Sequence, residues 1–328
     1  MQFLRKIGFY VVALWAAVTL NFVIPRLLPG SPVDTLIGKL SQQGPVAPGM
    51  RKALEALFGT NTNEPLWQQY LDYLNGLVHG NFGISVTYFP TPVVDVIGQA
   101  IPWTLGLVGL STIFAAVLGI ALGTFAGWKR GTWVDSLIPA TTLLQSVPYF
   151  WLALILLYFL ASMAGWFPLN GGYDVNTVSP GFTPDFIGSV LYYGALPALT
   201  IVISSIGGWL LGMRNMMVST LSDDYVTTAE AKGLSPMRVM ITYAARNAVL
   251  PSVTGFAISL GFVVAGSIVT EKVFSYPGIG NAMLDAVSNN DYALMQGLFL
   301  VITVAVLAAN LIVDIFYGFI DPRTRARG

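Results

Sequence analysis

Charge is missing from this chain in long, unbroken stretches, and that limits what it can fold into. Six runs contain no Asp, Glu, Lys or Arg: Ile7–Pro25, Ile97–Trp128, Ser136–Tyr173, Phe186–Met213, Asn247–Thr270 and Tyr292–Val313. A helix rising about 1.5 Å per residue needs about 20 mostly apolar residues to cross a hydrocarbon core of roughly 30 Å. Each run meets or approaches that length. The run Ser136–Tyr173 exceeds it, and Trp166, Pro168, Asn170, Gly171 and Gly172 predict that its helix stops near Gly165 before an exposed loop. The expected fold is an all-α polytopic membrane protein with six transmembrane helices. Only 10% of residues are charged, against about 25% in soluble domains. So few charges cannot cover a wetted surface, which excludes a soluble enzyme or a disordered chain.

The cations set the expected sides of the membrane. With the N-terminus inside, the inner segments hold eleven: Arg5, Lys6, Lys129, Arg130, Arg214, Lys232, Arg238, Arg246, Arg323, Arg325 and Arg327. The outer segments hold five: Arg26, Lys39, Arg51, Lys52 and Lys272. Both termini are therefore expected to be cytoplasmic. Pro25-Arg26-Leu27-Leu28-Pro29 offers no small-residue cleavage site, so residues 1–29 read as an uncleaved anchor. Residues 30–100 form an extracytoplasmic cap. Residues 101–328 form the core, with a cytoplasmic region at 219–248. In the cap, Trp67, Tyr70, Tyr73, Leu74 and Leu77 recur at helical spacing and are expected to form its own small core.

Several chemistries lack their residues. The chain has no cysteine and one histidine, His79 in the cap, which leaves no thiol chemistry and no Cys or His metal set. Its one Gly-Lys pair, Gly38-Lys39, is followed by Leu40 and not by the hydroxyl that a phosphate-cradling loop needs. Cations and anions balance at 16 each, which gives no general attraction to nucleic acid. Asp314 is the one acid within the spans. A single carboxylate forms no catalytic dyad, and near the inner end of the last helix it is expected to pair with a neighbour on the face shared with Asn310 and Tyr317.

The inner segment Ser219–Arg246 is punctuated. Ser222, Asp223 and Asp224 read as a helix N-cap with acids in the first turn. Gly233 suits the left-handed position that ends such a helix. Ser235 and Pro236 suit the cap and first turn of a second helix. Met240, Tyr243, Ala244 and Asn247 then fall on one expected face. The prediction is a helix, a tight turn and a second helix on the cytoplasmic face.

Here the chain resembles a known family. Tyr225-Val226-Thr227-Thr228-Ala229-Glu230-Ala231-Lys232-Gly233-Leu234, then Arg246-Asn247-Ala248-Val249-Leu250-Pro251, is similar to the cytoplasmic coupling loop of permease subunits in peptide/nickel-type ABC importers, the dipeptide and oligopeptide permease group. Leu28-Pro29-Gly30-Ser31-Pro32, Glu64-Pro65-Leu66-Trp67-Gln68-Gln69-Tyr70-Leu71 and Gly80-Asn81-Phe82-Gly83-Ile84-Ser85 resemble the end of its first helix and its outer domain. Val273-Phe274-Ser275-Tyr276-Pro277-Gly278-Ile279-Gly280, Asp291-Tyr292, and Asn310, Asp314, Tyr317, Asp321, Pro322 and Arg323 resemble its C-terminal part. Thr227-Thr228-Ala229 replaces the Glu-Ala-Ala of the general importer motif, and Ser31 stands where the family often has an acid.

The resemblance implies a type I importer permease in a bacterial cytoplasmic (inner) membrane. It implies a second homologous permease subunit, two ATPase subunits or one fused pair, and an extracytoplasmic solute-binding protein. ATP and magnesium are then held by the ATPase partners and no cofactor by this chain, which is not an enzyme. Tyr225, Glu230, Lys232, Gly233, Ser235 and Arg238 are the expected ATPase-coupling residues. Gln145, Ser146, Thr200, Ser204, Ser205, Ser259 and Ser267 are the expected polar lining of the path. Hydroxyls and amides suit di- and oligopeptides and oligosaccharides alike. Nickel, with no mid-span acid to carry it, is less favoured. An ATP-independent channel or an assembly factor is the alternative from another class.

Overall fold

In hydrocarbon a backbone finds no water to bond, so an apolar run must close its own hydrogen bonds as helix. The computed structural model describes residues 2–58, 64–263 and 268–320, and places helix in all six charge-free runs. The helices are α1 (Gln2–Leu27), α2 (Pro32–Gln43), α3 (Met50–Leu57), α4 (Leu66–Val78), α5 (Val93–Thr104), α6 (Leu110–Trp128), α7 (Trp133–Ser146) and α8 (Tyr149–Leu156). They continue with α9 (Pro184–Thr220), α10 (Asp224–Ala231), α11 (Pro236–Arg238), α12 (Arg246–Ala248), α13 (Leu250–Val263), α14 (Ile268–Val273), α15 (Ile279–Ser288) and α16 (Tyr292–Ile320). Among the described residues no strand forms, and Ile84 and Pro92 make an isolated bridge.

Among the described residues four helices are long and apolar enough to cross a membrane, or five if a bent pair counts as one span, against the six expected: Gly8–Leu27, Val93–Trp128, Pro184–Thr220 and Tyr292–Leu311 are the four. A π turn at Leu105–Gly109 joins α5 to α6 within the second. The third charge-free run does end where the sequence predicts. Its last helical turn closes at Met163, and Gly165 takes φ +66°. It is not straight, however: Trp133–Ser146 and Tyr149–Met163 are bent by 99°. Pro148 causes the break. It lacks an N–H and crowds the residue before it out of helical geometry, so Val147 is extended at φ −77°, ψ 127°. α13 is apolar but shorter.

Backbone packing divides the chain into two units. The first is built mainly from Met1–Thr104 and Pro277–Gly328, the second from Leu105–Val263 and Val269–Tyr276. In the first, Val93, Ile97 and Ala100 of α5 pack on Ile279, Met283 and Ala286 of α15 and on Leu294, Met295 and Leu298 of α16. Asp291, fully buried, caps α16. Its Oδ1 accepts the Leu294 N–H at 3.1 Å. Its Oδ2 accepts the Ser85 hydroxyl at 2.5 Å and the Thr87 N–H at 2.8 Å. Ser85 Oγ accepts the Tyr88 N–H in turn. The Tyr88 phenol donates to Asp285, and burial first, then the Asp285 charge, push it up to about 12. The Tyr292 hydroxyl donates to the Gly30 carbonyl at 2.9 Å. Three stretches far apart in sequence, around Gly30, Ser85 and Asp291, thus meet at one buried carboxylate and its neighbour.

The cap residues α2, α3 and Val86 enclose a small core of Val33, Leu36, Leu54 and Val86. The aromatic face of α4 is not part of that core, contrary to the sequence expectation. Tyr70 and Tyr73 lie over Phe22 of α1 with ring centroids 5.2 and 5.6 Å away, and the Tyr70 and Thr19 hydroxyls are 2.8 Å apart. An aromatic face finds more apolar surface on a long helix than in a three-turn cap. Trp67 stays 65% exposed.

The second unit turns on α6 against α9. A Cβ on Gly119 would come within 2.5 Å of Trp209 Cβ. One on Gly123 would reach 2.5 Å from the Leu210 carbonyl oxygen, and one on Gly127 would reach 2.5 Å from Met217 Cβ. Lipid gives helices no hydrophobic reason to associate, so close van der Waals approach over small residues replaces it. A Cβ on Gly207 would come within 2.8 Å of the Thr141 carbonyl oxygen of α7. Arg214 of α9 pairs with Asp135 of α7 at 3.2 Å, both mostly buried.

Substitutions at Asp291 and Gly123 test this packing. Asp291→Ala strands the Ser85 hydroxyl and two N–H groups at about 1–3 kcal/mol each, so the purified protein should melt markedly earlier. Asp291→Asn, which keeps one carbonyl acceptor, should lose less. Gly123→Leu should prevent stable insertion or lower the melting temperature strongly, while Gly212→Leu, at an exposed helical position of α9 with nothing within 4 Å of an added Cβ, leaves the packing intact. Equal melting for Gly123→Leu and the unsubstituted chain would contradict the α6–α9 contact.

Candidate coupling site

The segment Ser219–Arg246 folds as its punctuation predicts, with two differences. Asp223 is the extended N-cap of α10 (φ −76°, ψ 142°), and Asp224 lies in the first turn, where the helix dipole favours a negative charge. The end of α10 is a Schellman turn: Gly233 N–H bonds to the Glu230 carbonyl at 2.8 Å and Leu234 N–H to the Ala229 carbonyl at 3.4 Å. Gly233 takes φ +72°, which glycine adopts without strain. Ser235 then stands extended at the N-cap of α11, with Pro236 first in the helix. The first difference is that neither the Asp223 nor the Ser235 side chain makes the cap bond, the backbone carbonyls doing so alone.

The second difference is register. Val239–Ala245 is a π turn between α11 and α12. Its extra residue per turn brings Met240, Ala244 and Ala248 into line and swings Asn247 off the face, leaving it exposed. The buried face joins Val226, Ala229 and Val239 to Met213 and Met217 of α9, with Trp128 of α6 packed alongside. The helix pair is therefore seated on the same ends of α6 and α9 that the Gly127–Met217 contact holds together.

Tyr225, Glu230, Lys232, Gly233, Ser235 and Arg238 are all exposed. The structure brings these six onto one compact helix–turn–helix, packed on an apolar seat beneath and exposed above. The path residues are more scattered. Gln145 and Ser146 lie exposed at the end of α7, just before the 99° bend, and Gln145 Nε2 sits close over Gly208. Ser204, Ser205 and Ser259 are half-buried and donate to carbonyls of their own helices. Thr200 is fully buried and donates to Leu196, so it faces no open surface. Ser267 and Arg323 lie outside the described residues, and the Asp314 side chain lies outside those described as well. The residues that sequence reasoning missed are the seat itself, Trp128, Met213 and Met217, and the glycines beneath. The signal was present: Gly119, Gly123 and Gly127 recur every four residues within an apolar run.

With this geometry in place, relatives decide the family. Residues 119–326 match the model of the binding-protein-dependent transport system inner membrane component. The chain belongs to this family. The match covers the three close-packed glycines of α6, the bent helix, the α10–α12 pair and the last helix. The chain is 34% identical to the di/tripeptide transport system permease protein of Pseudomonas aeruginosa (strain UCBPP-PA14), over 98% of this chain and 97% of that one. It is 33% identical to the dipeptide transport system permease protein of Escherichia coli (strain K12), over 99% of each. It is also 33% identical to an oligopeptide transport system permease protein of Bacillus subtilis (strain 168), over 93% of this chain and 92% of that one. It is thus a multi-pass permease of the inner-membrane transport family.

The seat can be tested apart from any partner. Met240→Ala opens a cavity beneath the pair, at a cost of about 2–5 kcal/mol. Backbone hydrogen exchange across residues 224–248 should accelerate in that variant by at least tenfold. Arg238→Ala, on the exposed side, should leave exchange unchanged. Equal protection in the two variants would show that Met240 does not hold the pair.

Proposed function

We propose that this chain is the transmembrane permease subunit of an ATP-driven importer. In this reading it forms, with a second homologous permease subunit, the path for di- and oligopeptides delivered by an extracytoplasmic solute-binding protein. The observation that carries the reading is full-length similarity to di/tripeptide, dipeptide and oligopeptide permeases, combined with an exposed, rigidly seated helix pair. The relatives' names select peptides over the oligosaccharide and nickel alternatives. In this reading the membrane is crossed six times, with both termini and the α10–α12 pair cytoplasmic and residues 30–100 outside.

Two ATPase subunits, or one fused pair, hold ATP and magnesium in this account, and this chain holds neither. Each ATPase receives a coupling pair through Tyr225, Glu230, Lys232, Gly233, Ser235 and Arg238. Closure of the ATPases on ATP pushes the pair. The pair is seated on α6 and α9, so the push moves spans and not a loop. That is a two-state domain motion biased by differential nucleotide binding. Gln145, Ser146, Ser204, Ser205, Ser259 and Ser267 supply hydroxyls and an amide to a peptide in transit. Thr200 joins them only if the outward-facing state uncovers it.

Reconstituted with its partners, the system should take up dipeptide only with hydrolysable ATP and binding protein. Gly233→Val should abolish that uptake while the subunit still inserts. Nothing lies within 4 Å of an added Cβ, so the effect is backbone strain alone, about 1–3 kcal/mol. Gly233→Asn, which tolerates the left-handed region, should retain most uptake. Uptake without ATP would refute the importer reading in favour of a channel, and full uptake by Gly233→Val would refute the role of the turn.

A further inference from the structure

A cavity of about 260 Å³ opens in the first unit, where α4 meets the last turn of α1 and the first turns of α16. Arg26, Glu64, Asp72, Tyr73 and Gln296 are among its lining residues. Its charged groups lack partners of opposite charge among the described residues. The Arg26 guanidinium lies 3.6 Å over the Phe22 ring, gives one N–H to the Phe22 carbonyl at 2.8 Å, and makes a long 3.5 Å contact to Gln69. Among the described residues no carboxylate is within ion-pair distance of it, although Glu64 and Asp72 line the same cavity. Those two acids likewise have no cationic partner among the described residues.

Two further donors are idle. Gln296 is nine-tenths buried, and its Nε2 has no acceptor. The Tyr73 hydroxyl is buried without a partner. Burial first, then the neighbouring Tyr70, push the Tyr73 phenol up to about 12 against the pull of Arg26, so it keeps its proton at neutral pH. A phenol and a carboxamide N–H without acceptors stand beside a guanidinium that has no counter-anion, and the complement of the three is a carboxylate. Two unpaired acids on the same walls complement an ammonium. Had Arg26 paired with Asp72, the cavity would have been self-neutral. It holds both charges apart instead.

We propose that this cavity binds a small zwitterion, a free amino acid or a dipeptide, with its carboxylate at Arg26, Tyr73 and Gln296 and its ammonium at Asp72 and Glu64. The site belongs to the first unit alone and stands whether or not the transport reading does. A lipid headgroup with a phosphate and an ammonium shares part of this chemistry, so the test separates the two sources.

The natural chain has no cysteine, so Leu77→Cys places one thiol at the cavity wall. The purified full chain is placed in nanodiscs of phosphatidylglycerol alone, and maleimide labelling is timed with and without alanyl-alanine. Alanyl-alanine should slow labelling at least fivefold, and its C-terminal amide and N-acetyl forms should not. A cysteine at the exposed Val175 should be indifferent. Arg26→Gln and Gln296→Leu should each raise the half-protecting concentration at least tenfold. The second variant is close to isosteric and carries the test if the first folds poorly. Equilibrium dialysis with radiolabelled alanyl-alanine supplies a second readout that needs no thiol, with the same tenfold loss expected. No binding by dialysis overturns the proposal, as does equal protection by the amide, or binding unchanged in Gln296→Leu. Protection seen only when phosphatidylethanolamine is added assigns the cavity to a lipid and overturns it too.

Discussion

The close approach of α6 to α9 is the contact on which the second unit depends. Three glycines on α6 let the two backbones come together where any Cβ would collide. The last of them, Gly127, touches Met217, and Met217 is at the centre of the seat beneath α10–α12. A displacement of the α10–α12 pair would therefore meet both helices at once. α9 is 37 residues long, about 55 Å at the rise of an α-helix. A push at one end of such a rod reaches the other without any chain of side-chain rearrangements. Packing of this density has discrete arrangements and not a continuum, which suits the proposed two-state motion.

The first unit is held differently. Its centre is a carboxylate, Asp291, that spends both oxygens on groups from Ser85, Thr87 and its own helix. A buried anion costs several kcal/mol of desolvation, so it persists only when fully bonded. That requirement ties the loop after α4 to the start of α16 across some 200 positions of sequence. The second unit relies on shape, and the first on a satisfied charge. The cavity beside Arg26 is the exception within the first unit, a place where charges and donors stay unspent.

Much of the fold was legible because it follows from short-range rules. Absence of charge marks the apolar helices, since a charge in hydrocarbon is too costly to place casually. The turn after α10 was legible because Gly233, Ser235 and Pro236 each have one favoured backbone role, and all three agree. What was not legible has a common cause as well. Pro102, Pro139 and Pro197 sit inside helices without breaking them, so Pro148 alone did not announce a 99° bend. The π turn at Val239–Ala245 has no residue signature, and it alone moves Asn247 off the buried face. The docking of Tyr70 and Tyr73 on Phe22 is a choice between two apolar surfaces, which periodicity cannot make. Among the path residues, a hydroxyl in a helix can always bond its own i−4 carbonyl. Composition thus could not separate Thr200, buried and self-bonded, from Ser146, exposed at the bend.

In the proposed transporter the ATPase takes hold at the helix pair around Gly233. The direct measurement is cross-linking in the assembled complex, with a photoactivatable thiol reagent on single cysteines. Ser235→Cys should yield a covalent product with an ATPase subunit, and Thr183→Cys, at the far end of α9, should yield none. A product from Thr183→Cys and none from Ser235→Cys would place the ATPase on the opposite end of the helix and contradict the account.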